Sequence, residues 1–275
     1  MMLENALKLL KELTSHNYKA YIVGGFVRDY LLGIESQDID VATNATPKEI
    51  KEVFNDSFLP TEDYGSVVVN KYGIRFEITT FRKEINYQDH RRPVEIEYID
   101  DLYQDLLRRD FTINAICIDD EGEVIDFLGG RDDLNRKLIR TIGDADERLS
   151  EDALRMLRAI RFATVLDFQL DGEVVQAIRN HRHLLKELSY QRKKEELDKI
   201  FTSGYARQGI KLLLEFHLDR VLELENLSKV ENTDSVVGIW SVLDVDSIYP
   251  FSNNEKEIME NIRKARSHYK IFNGE

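Results

Sequence analysis

Residues 21–43 read YIVGGFVRDYLLGIESQDIDVAT, and this stretch predicts a strand, a glycine turn, a helix and a second strand. The β-prone residues 21–23 run directly into Gly24 and Gly25, where the missing Cβ atoms let backbone N–H groups approach a bulky anion. Residues 26–32 have helical spacing and end at Gly33, a suitable C-cap. The stretch therefore predicts an anion-binding turn between a strand and a helix.

Asp38 and Asp40 lie one residue apart in the second predicted strand. On an extended chain both carboxylates point to the same side. An Asp-x-Asp pair by itself is more often part of a solvated loop or a helix cap than a pair of ligands. Beside an anion-binding turn, however, two hard oxygen ligands suit Mg²⁺, which proteins usually hold with one or two carboxylates plus substrate phosphates.

Length and composition limit the class of protein. The 275 residues, 42% of them hydrophobic, can form one large domain or two modest ones. With 38 basic and 51 acidic residues the net charge is −13, which argues against nonspecific coating of nucleic acid, so any RNA contact must be local. A single cysteine, Cys117, excludes an internal disulfide framework and fits a reducing cytoplasm. No apolar run approaches the roughly 20 residues that span a bilayer, so we expect a cytoplasmic protein without a membrane segment.

A second informative string is RRDFTINA at residues 108–115. Two adjacent arginines without a local acid to satisfy them suit a triphosphate, which guanidinium groups bind bidentately. Asp110 can accept a hydrogen bond from a ribose hydroxyl. The alternative is an ion pair between Arg109 and Asp110 at the start of a helix. Residues 126–134, DFLGGRDDL, carry paired glycines that predict a hinge before the helical part of the chain, rather than a second phosphate-binding loop.

Residues 66–70 and 75–81 are β-rich runs separated by Lys-Tyr-Gly, which predicts a hairpin. Glu77 in the second run either faces solvent or adds a third metal ligand or base beside the two aspartates. The periodicity fails from residue 82 to residue 101, which predicts a mobile loop.

Residues 150–163, SEDALRMLRAIRFA, predict one periodic helix with a serine cap. Asp152, Arg155 and Arg158 recur every third residue, so they share a face and a carboxylate can act together with a guanidinium. The alternative is that Glu151 and Asp152 only complement the helix dipole.

The order of these strings resembles that of the class II CCA-adding tRNA nucleotidyltransferases and the related bacterial poly(A) polymerases, within the polymerase β superfamily. The resemblance covers roughly residues 20–201 and five motifs. The fifth, QRKKEELDKIF at residues 191–201, departs from the family pattern at Gln191 and Lys193. Within this motif, the resemblance therefore assigns a role only to Arg192 and Glu196, as structural supports of the neck.

The resemblance implies an α+β fold with three parts. Residues 1–143 would form a nucleotidyltransferase head with a mixed β-sheet and flanking helices. Residues 144–204 would form a helical neck that carries the base-reading helix, and residues 205–275 a short helical body.

The resemblance also implies roles for individual residues. Asp38 and Asp40 would hold Mg²⁺, and Glu77 would be a third catalytic carboxylate. Asp152 and Arg155 would read the base edge of the incoming nucleotide, with Glu151 orienting them. The nucleotide-binding residues would be Gly24, Gly25, Arg28, Asp29, Arg109, Asp110, Asn114, Asp152, Arg155, Arg158 and Arg161.

The activity implied is template-independent, Mg²⁺-dependent addition of CTP and ATP to the 3′ end of tRNA. Residues 87–93 resemble the flexible loop of family members that add A, which counts against a CC-only enzyme. A poly(A) polymerase or an A-only enzyme shares nearly every motif and is the main alternative. An inactive RNA-binding module is the alternative from a different class, and the oligomeric state stays open.

Overall fold

A computed structural model describes residues 2–36, 38–55, 57–61, 65–88, 92–202, 204–231 and 235–273. The chain forms two compact units, one comprising Met1–Gln88 and Arg92–Asp144 and the other continuing through Ala145–Glu275. The segments predicted as neck and body both lie in the second unit, and their further division stays a prediction.

The first unit combines a β-sheet with short helices. Its helices are α1 (Met2–Ser15), α2 (Gly25–Leu32), α3 (Pro47–Val53), α4 (Leu102–Leu107) and α5 (Gly130–Asn135). Its strands are β1 (Ala20–Val23), β2 (Ile39–Thr43), β3 (Ser57–Thr61), β4 (Ser66–Lys71), β5 (Ile74–Thr80), β6 (Arg82–Gln88), β7 (Arg92–Tyr98), β8 (Cys117–Ile118), β9 (Val124–Ile125) and β10 (Leu138–Ile139).

Seven of these strands form one mixed sheet in the order β3-β4-β5-β2-β1-β8-β9. Strands β2 and β5 are parallel, whereas β1 pairs antiparallel with both β2 and β8. Strand β2 therefore lies between β1, which leads into the glycine turn, and β5, which carries Glu77. The predicted α+β class with a mixed sheet and flanking helices is confirmed.

A buried apolar cluster holds β1 and β2 against α4. Its members are Val23, Ala42, Phe81, Leu102, Leu106, Ala115, Cys117 and Ile142. Burial raises the pKa of the Cys117 thiol to about 12, so this cysteine is a small hydrophobic core residue and not a nucleophile.

Local sequence explains where several elements begin and end. Gly33 ends α2 in the left-handed conformation with φ 71°, as predicted. Thr46 and Glu49 form a reciprocal capping box at the start of α3, with Pro47 in its first turn. The predicted hairpin over residues 66–81 is β4 and β5, and its turn places Tyr72 at φ 54° beside Gly73.

The prediction of a mobile loop over residues 82–101 is wrong. Strands β6 and β7 pair antiparallel as a separate two-stranded ribbon. The described side chains of β6 begin with the charged residues Arg82, Lys83 and Glu84, which give no alternating apolar pattern that would reveal a strand in the sequence. Residues 89–91, within the segment that resembles the family's flexible loop, lie outside the described part of the chain.

The second unit is mainly helical, as predicted, although its described residues include one short strand. Its helices are α6 (Ala145–Glu151), α7 (Leu154–Leu166), α8 (Gly172–His181), α9 (Tyr190–Thr202), α10 (Ala206–Glu215), α11 (Leu218–Val221), α12 (Val236–Leu243) and α13 (Asn253–Asn273), and the strand is β11 (Gln169–Leu170). Gly209 lets α10 approach α7 and α9 closely, since a Cβ there would lie 2.4 Å from Ile200 and 2.9 Å from Thr164.

The single helix predicted over residues 150–163 is interrupted. Helix α6 ends at Glu151 and α7 begins at Leu154. The Ser150 hydroxyl donates to the Glu147 carbonyl inside α6, so it caps no helix start. The Asp152 carboxylate instead accepts from the Leu154 backbone N–H at the start of α7. The buried residues Leu149, Ala153, Met156 and Ile160 follow one another at intervals of three or four residues across the break. Because a continuous helix has the same spacing, the periodicity gave no sign of the interruption.

The paired glycines of residues 126–134 lie inside the first unit and not at its boundary, so they do not form the predicted hinge between units. Gly129 is left-handed at φ 75° and precedes α5. A Cβ on Gly130 would lie 2.3 Å from the Thr112 carbonyl oxygen and 2.7 Å from Ile116 Cγ1. Gly130 therefore permits α5 to pack directly on the turn that follows Arg109.

Substituting Gly130 with Ala should destabilise the chain by about 1 to 3 kcal/mol, because backbone or core atoms must move to admit the methyl group. The matched control is Gly172→Ala at the start of α8, where nothing lies within 4 Å of the new Cβ. This control should be neutral or up to about 1 kcal/mol more stable. Urea midpoints measured by circular dichroism decide the matter, and equal midpoints for the two variants would contradict the packing argument.

Candidate active site

The glycine turn, β2 and the second arginine string converge in the first unit. Gly24 has φ 82° and ψ −139°. A Cβ on this residue would lie 3.2 Å from Asp40 Oδ2 and 3.7 Å from Arg109 Nη1. The positive φ favours glycine at this position, and the absent side chain leaves a carboxylate and a guanidinium close to the turn. The predicted residues Gly24, Asp40 and Arg109 are thus neighbours.

Glu77 is the register partner of Asp40 on the adjacent parallel strand, so both side chains lie on the same face of the sheet. Desolvation by the surrounding protein raises the pKa of Asp40; Arg109 opposes this shift, whereas the negative charges of Glu77 and Asp38 add to it. Asp40 is nevertheless exposed on its outer side. The carboxylate is therefore accessible to a ligand and surrounded by protein on its inner side.

Asp38 and Asp40 fit the donor set of a magnesium site, since both are exposed oxygen ligands and Mg²⁺ commonly completes its shell with water and substrate phosphates. Among the described residues, no three His, Cys, Asp or Glu side chains are grouped so that they could hold a metal by themselves. The role of Glu77 as a third carboxylate therefore stays a prediction.

Four predicted residues form one buried network behind the glycine turn. Arg28 pairs with Asp29 at 2.7 Å and donates at 2.8 Å to the Asn114 side-chain oxygen. The Asn114 amide donates at 3.1 Å to Asp110, which also accepts from the Phe111 backbone N–H. Because Arg28 and Asp110 are only 8% exposed, this network rigidly joins α2 to the turn after Arg109.

The premise that the paired arginines lack a local acid is wrong. Asp105, which is 1% exposed on α4, accepts from Arg108 Nε at 2.9 Å and contacts Arg109 Nη2 at 3.4 Å. It also accepts from the Arg82 backbone N–H at 3.1 Å. Burial lowers the pKa of Arg108, and the neighbouring Asp105 carboxylate opposes that shift. Sequence reasoning missed Asp105, although its spacing of three and four residues before the arginines was a usable signal.

The predicted base-reading residues lie together in the second unit. Arg155 is 5% exposed, and its Nη1 donates at 2.9 Å to the Arg148 carbonyl and at 3.4 Å to Glu151. Glu151 also accepts from Arg148 at 2.6 Å. The structure thus places Glu151 where it can orient Arg155, and it adds Arg148 as a further residue that the sequence did not single out.

Asp152 lies in the same cluster. Desolvation raises the pKa of Asp152, and the positive charges of Arg155, Arg192 and Arg158 oppose that shift. Arg158 lies 5.4 Å from the centroid of the Phe162 ring. The Asp152 carboxylate therefore lies within electrostatic range of three arginines from α7 and α9.

Arg161 is held differently from the other arginines of α7. It pairs with Glu196 of α9 at 3.2 Å and lies 4.3 Å from the Phe162 ring centroid. Of the two residues carried over as supports, Glu196 therefore joins α9 to α7, and Arg192 contributes its charge near Asp152.

Comparison with protein families defines the class. Residues 20–140 match the poly A polymerase head domain, and residues 167–226 match the probable RNA and SrmB- binding site of polymerase A. A mixed sheet that places an Asp-x-Asp strand beside a glycine turn, together with these matches, defines a nucleotidyltransferase fold. No described helix has the length and apolar character needed to cross a membrane.

The particular family follows from individual relatives. The CCA-adding enzyme of Bacillus pumilus is 46% identical over 84% of this chain and 57% of its own length, and that of a Geobacillus species is 42% identical over 88% and 60%. The chain belongs to the CCA-adding enzyme family, as the sequence resemblance predicts. It spans less than two thirds of the length of these two relatives.

Solved structures agree with this assignment. The CCA-adding enzyme of Bacillus stearothermophilus in complex with CTP is 39% identical, with a TM-score of 0.74 over 80% of this chain and 53% of that one. The Thermotoga maritima CCA-adding enzyme complexed with tRNA_CCA is 25% identical, with a TM-score of 0.74 over 96% and 70%.

Proposed function

We propose that this chain adds nucleotides from CTP and ATP to the 3′ end of tRNA, without a template and with Mg²⁺, in the cytoplasm. The observation that carries the proposal is the convergence of the Asp40 carboxylate and the Arg109 guanidinium at Gly24. Metal ligands and phosphate ligands must meet at one point for phosphoryl transfer. The relatives support the choice of substrates, since they are CCA-adding enzymes with structures in complex with CTP and with tRNA.

In the proposed reaction the RNA 3′-hydroxyl attacks the α-phosphate of the nucleotide, a new P–O bond forms, and the bond to pyrophosphate breaks. Asp38 and Asp40 would hold Mg²⁺, which would lower the pKa of the hydroxyl and stabilise the leaving group. The Gly24-Gly25 turn and Arg109 would bind the triphosphate. The buried network of Arg28, Asp29, Asn114 and Asp110 would keep the turn rigid, with Asp110 presented to the ribose.

Asp152 and Arg155 are proposed to read the base, because one carboxylate and one guanidinium together offer the acceptors and donors that a Watson-Crick edge needs. Arg155→Ala should therefore lose discrimination among CTP, ATP, UTP and GTP as well as rate, by about 1 to 3 kcal/mol for the lost contact. The measurement is kcat/KM for each of the four nucleotides. Arg179→Ala, an exposed arginine of α8 in the same unit, is the matched control. An equal loss of rate for all four nucleotides would show that Arg155 only supports the helix.

The experiment that tests the function supplies tRNA ending before CCA together with CTP alone, ATP alone, or both, and sizes the products. Two additions with CTP and a third when ATP is present would support the proposal. Addition of A without C would favour a poly(A) polymerase or an A-only enzyme, an alternative that the match to a poly A polymerase head domain keeps relevant. No incorporation under any condition would contradict the proposal.

A further inference from the structure

A cavity of about 410 Å³ lies beside Asp38 in the first unit. Its walls come from the start of α1, the turn between β4 and β5, and the residue that precedes β2 by one position. The lining residues are Met2, Asn5, Asp38, Tyr72, Gly73, Ile74 and Arg75. The volume suits a small ligand, and the lining combines apolar side chains with one cation and one carboxylate. Apart from Asp38, none of these residues has a role in the mechanism above.

Arg75 is the cation of this cavity. It lies two residues before Glu77 on β5, so both side chains are on the same face of the sheet as Asp40. Its backbone is paired with Asn70 in the β4–β5 ladder, whereas its exposed side chain forms no hydrogen bond or ion pair with any residue that the structure describes. It is also close enough to Asp40 to oppose the rise in the pKa of that carboxylate. An exposed guanidinium at the edge of an acidic site can bind an anionic ligand that approaches the carboxylates.

Arg109 lies beside the turn that follows β1, whereas Arg75 lies on β5. Strand β2 lies between β1, which leads into Gly24 near Arg109, and β5, which carries Arg75. An in-line transfer needs the attacking and the leaving oxygens on opposite sides of the phosphorus. If the triphosphate occupies the Arg109 side, the side of β5 is left for the attacking RNA strand.

The aromatic wall of the cavity is held in place. The Tyr72 hydroxyl donates to Glu12 of α1 at 2.5 Å, and Glu12 also pairs with Lys71. The ammonium groups of Lys8 and Lys71 lie 5.8 Å and 5.5 Å from the Tyr72 ring centroid. A fixed aromatic ring with positive charge around it suits a nucleotide, because the base can contact the ring while the phosphate contacts a cation.

We propose that this cavity binds the 3′-terminal nucleotide of the acceptor RNA, with Arg75 on its phosphate and Tyr72 beside its base. The proposal rests on the proposed function, since it assigns the second substrate of the same reaction to a position. It makes Arg75 an RNA-binding residue and not a ligand of the incoming nucleotide.

Arg75→Ala should raise the KM for tRNA ending before CCA by about tenfold, as expected for a lost charged hydrogen bond, and leave the KM for CTP within about twofold. The slope of log(kcat/KM) for tRNA against log salt should become shallower by about 0.7, the value for one phosphate contact on a single strand. Arg75→Lys keeps the positive charge, so it should raise the KM for tRNA by less than Arg75→Ala does. The control is Arg136→Ala, an exposed arginine at the end of α5, which should change neither KM.

Three results would overturn the assignment: an equal rise in both KM values, no change in either, or a fall in kcat alone. The last would show that Arg75 acts only through Asp40. A binding measurement separates this inference from the proposed function because it needs no turnover. In an Asp40→Asn background, adding Arg75→Ala should weaken binding of fluorescently labelled tRNA about tenfold. Equal tRNA binding with and without Arg75→Ala would refute the RNA contact, even if the wild type incorporates nucleotides. If the wild type incorporates none, the proposed function fails but the binding measurement still tests the role of Arg75.

Discussion

Asp38→Asn and Asp40→Asn should each reduce nucleotide incorporation by at least about a thousandfold, because each removes a charged ligand whose metal stabilises the transition state by several kcal/mol. Both side chains are exposed, so the exchange creates no core cavity and the fold should persist. Asn has nearly the same shape as Asp, which makes charge the only large difference. The measurement is incorporation of labelled CTP into tRNA ending before CCA, with Mg²⁺ in excess.

The control for this pair is Asp132→Asn, an exposed aspartate of α5 that pairs only loosely with Arg136 at 3.6 Å. It should retain nearly full activity. CTP binding by the Asp40 variant should survive in part, since the glycine turn and Arg109 remain. If either variant keeps more than about a tenth of wild-type incorporation, the assignment of these carboxylates as metal ligands is wrong.

Asp105→Ala should destabilise the chain by about 3 to 5 kcal/mol, because it removes one partner of a buried ion pair and leaves cationic groups without its charge. Asp105 is nearly inaccessible and contacts both Arg108 and Arg109 as well as the Arg82 backbone N–H. At roughly 2 to 4 °C per kcal/mol for a chain of this size, the Tm should fall by about 6 °C or more. Thermal unfolding followed by circular dichroism measures this directly.

Asp132→Ala is the matched control for Asp105→Ala, since it also breaks an Asp–Arg contact four residues apart but at an exposed position. An exposed pair of this kind contributes less than about 1 kcal/mol, so its Tm should change little. Because Asp105 also orients Arg109, the Asp105 variant should bind CTP more weakly at temperatures where it is still folded. A Tm equal to that of the control would show that Arg108 and Arg109 do not depend on Asp105.

Local features of the fold could be predicted from the sequence because their causes lie within a few residues. The left-handed end of α2 needs Gly33, the start of α3 needs Thr46 and Glu49, and the β4–β5 hairpin needs its Gly-containing turn. Of the two carboxylates in the Asp-x-Asp pair, Asp40 lies beside the glycine turn as predicted from the sequence. The break between α6 and α7 at Asp152 could not be predicted in this way, because the buried residues on both sides keep the spacing of a continuous helix.

The tertiary structure alone decided which distant residues meet. Asp40 and Arg109 are far apart in sequence but both lie beside Gly24, and α5 reaches Thr112 only because Gly130 has no side chain. The ribbon of β6 and β7 begins with the charged residues Arg82, Lys83 and Glu84, which do not mark a strand in the sequence, and the burial of Asp105 could not be read from its spacing. Spacing along the chain specifies which face of an element a side chain occupies. The packing of elements far apart in sequence determines what that face contacts and whether water is excluded. These two conditions set the energy of the interactions between charged groups in the site.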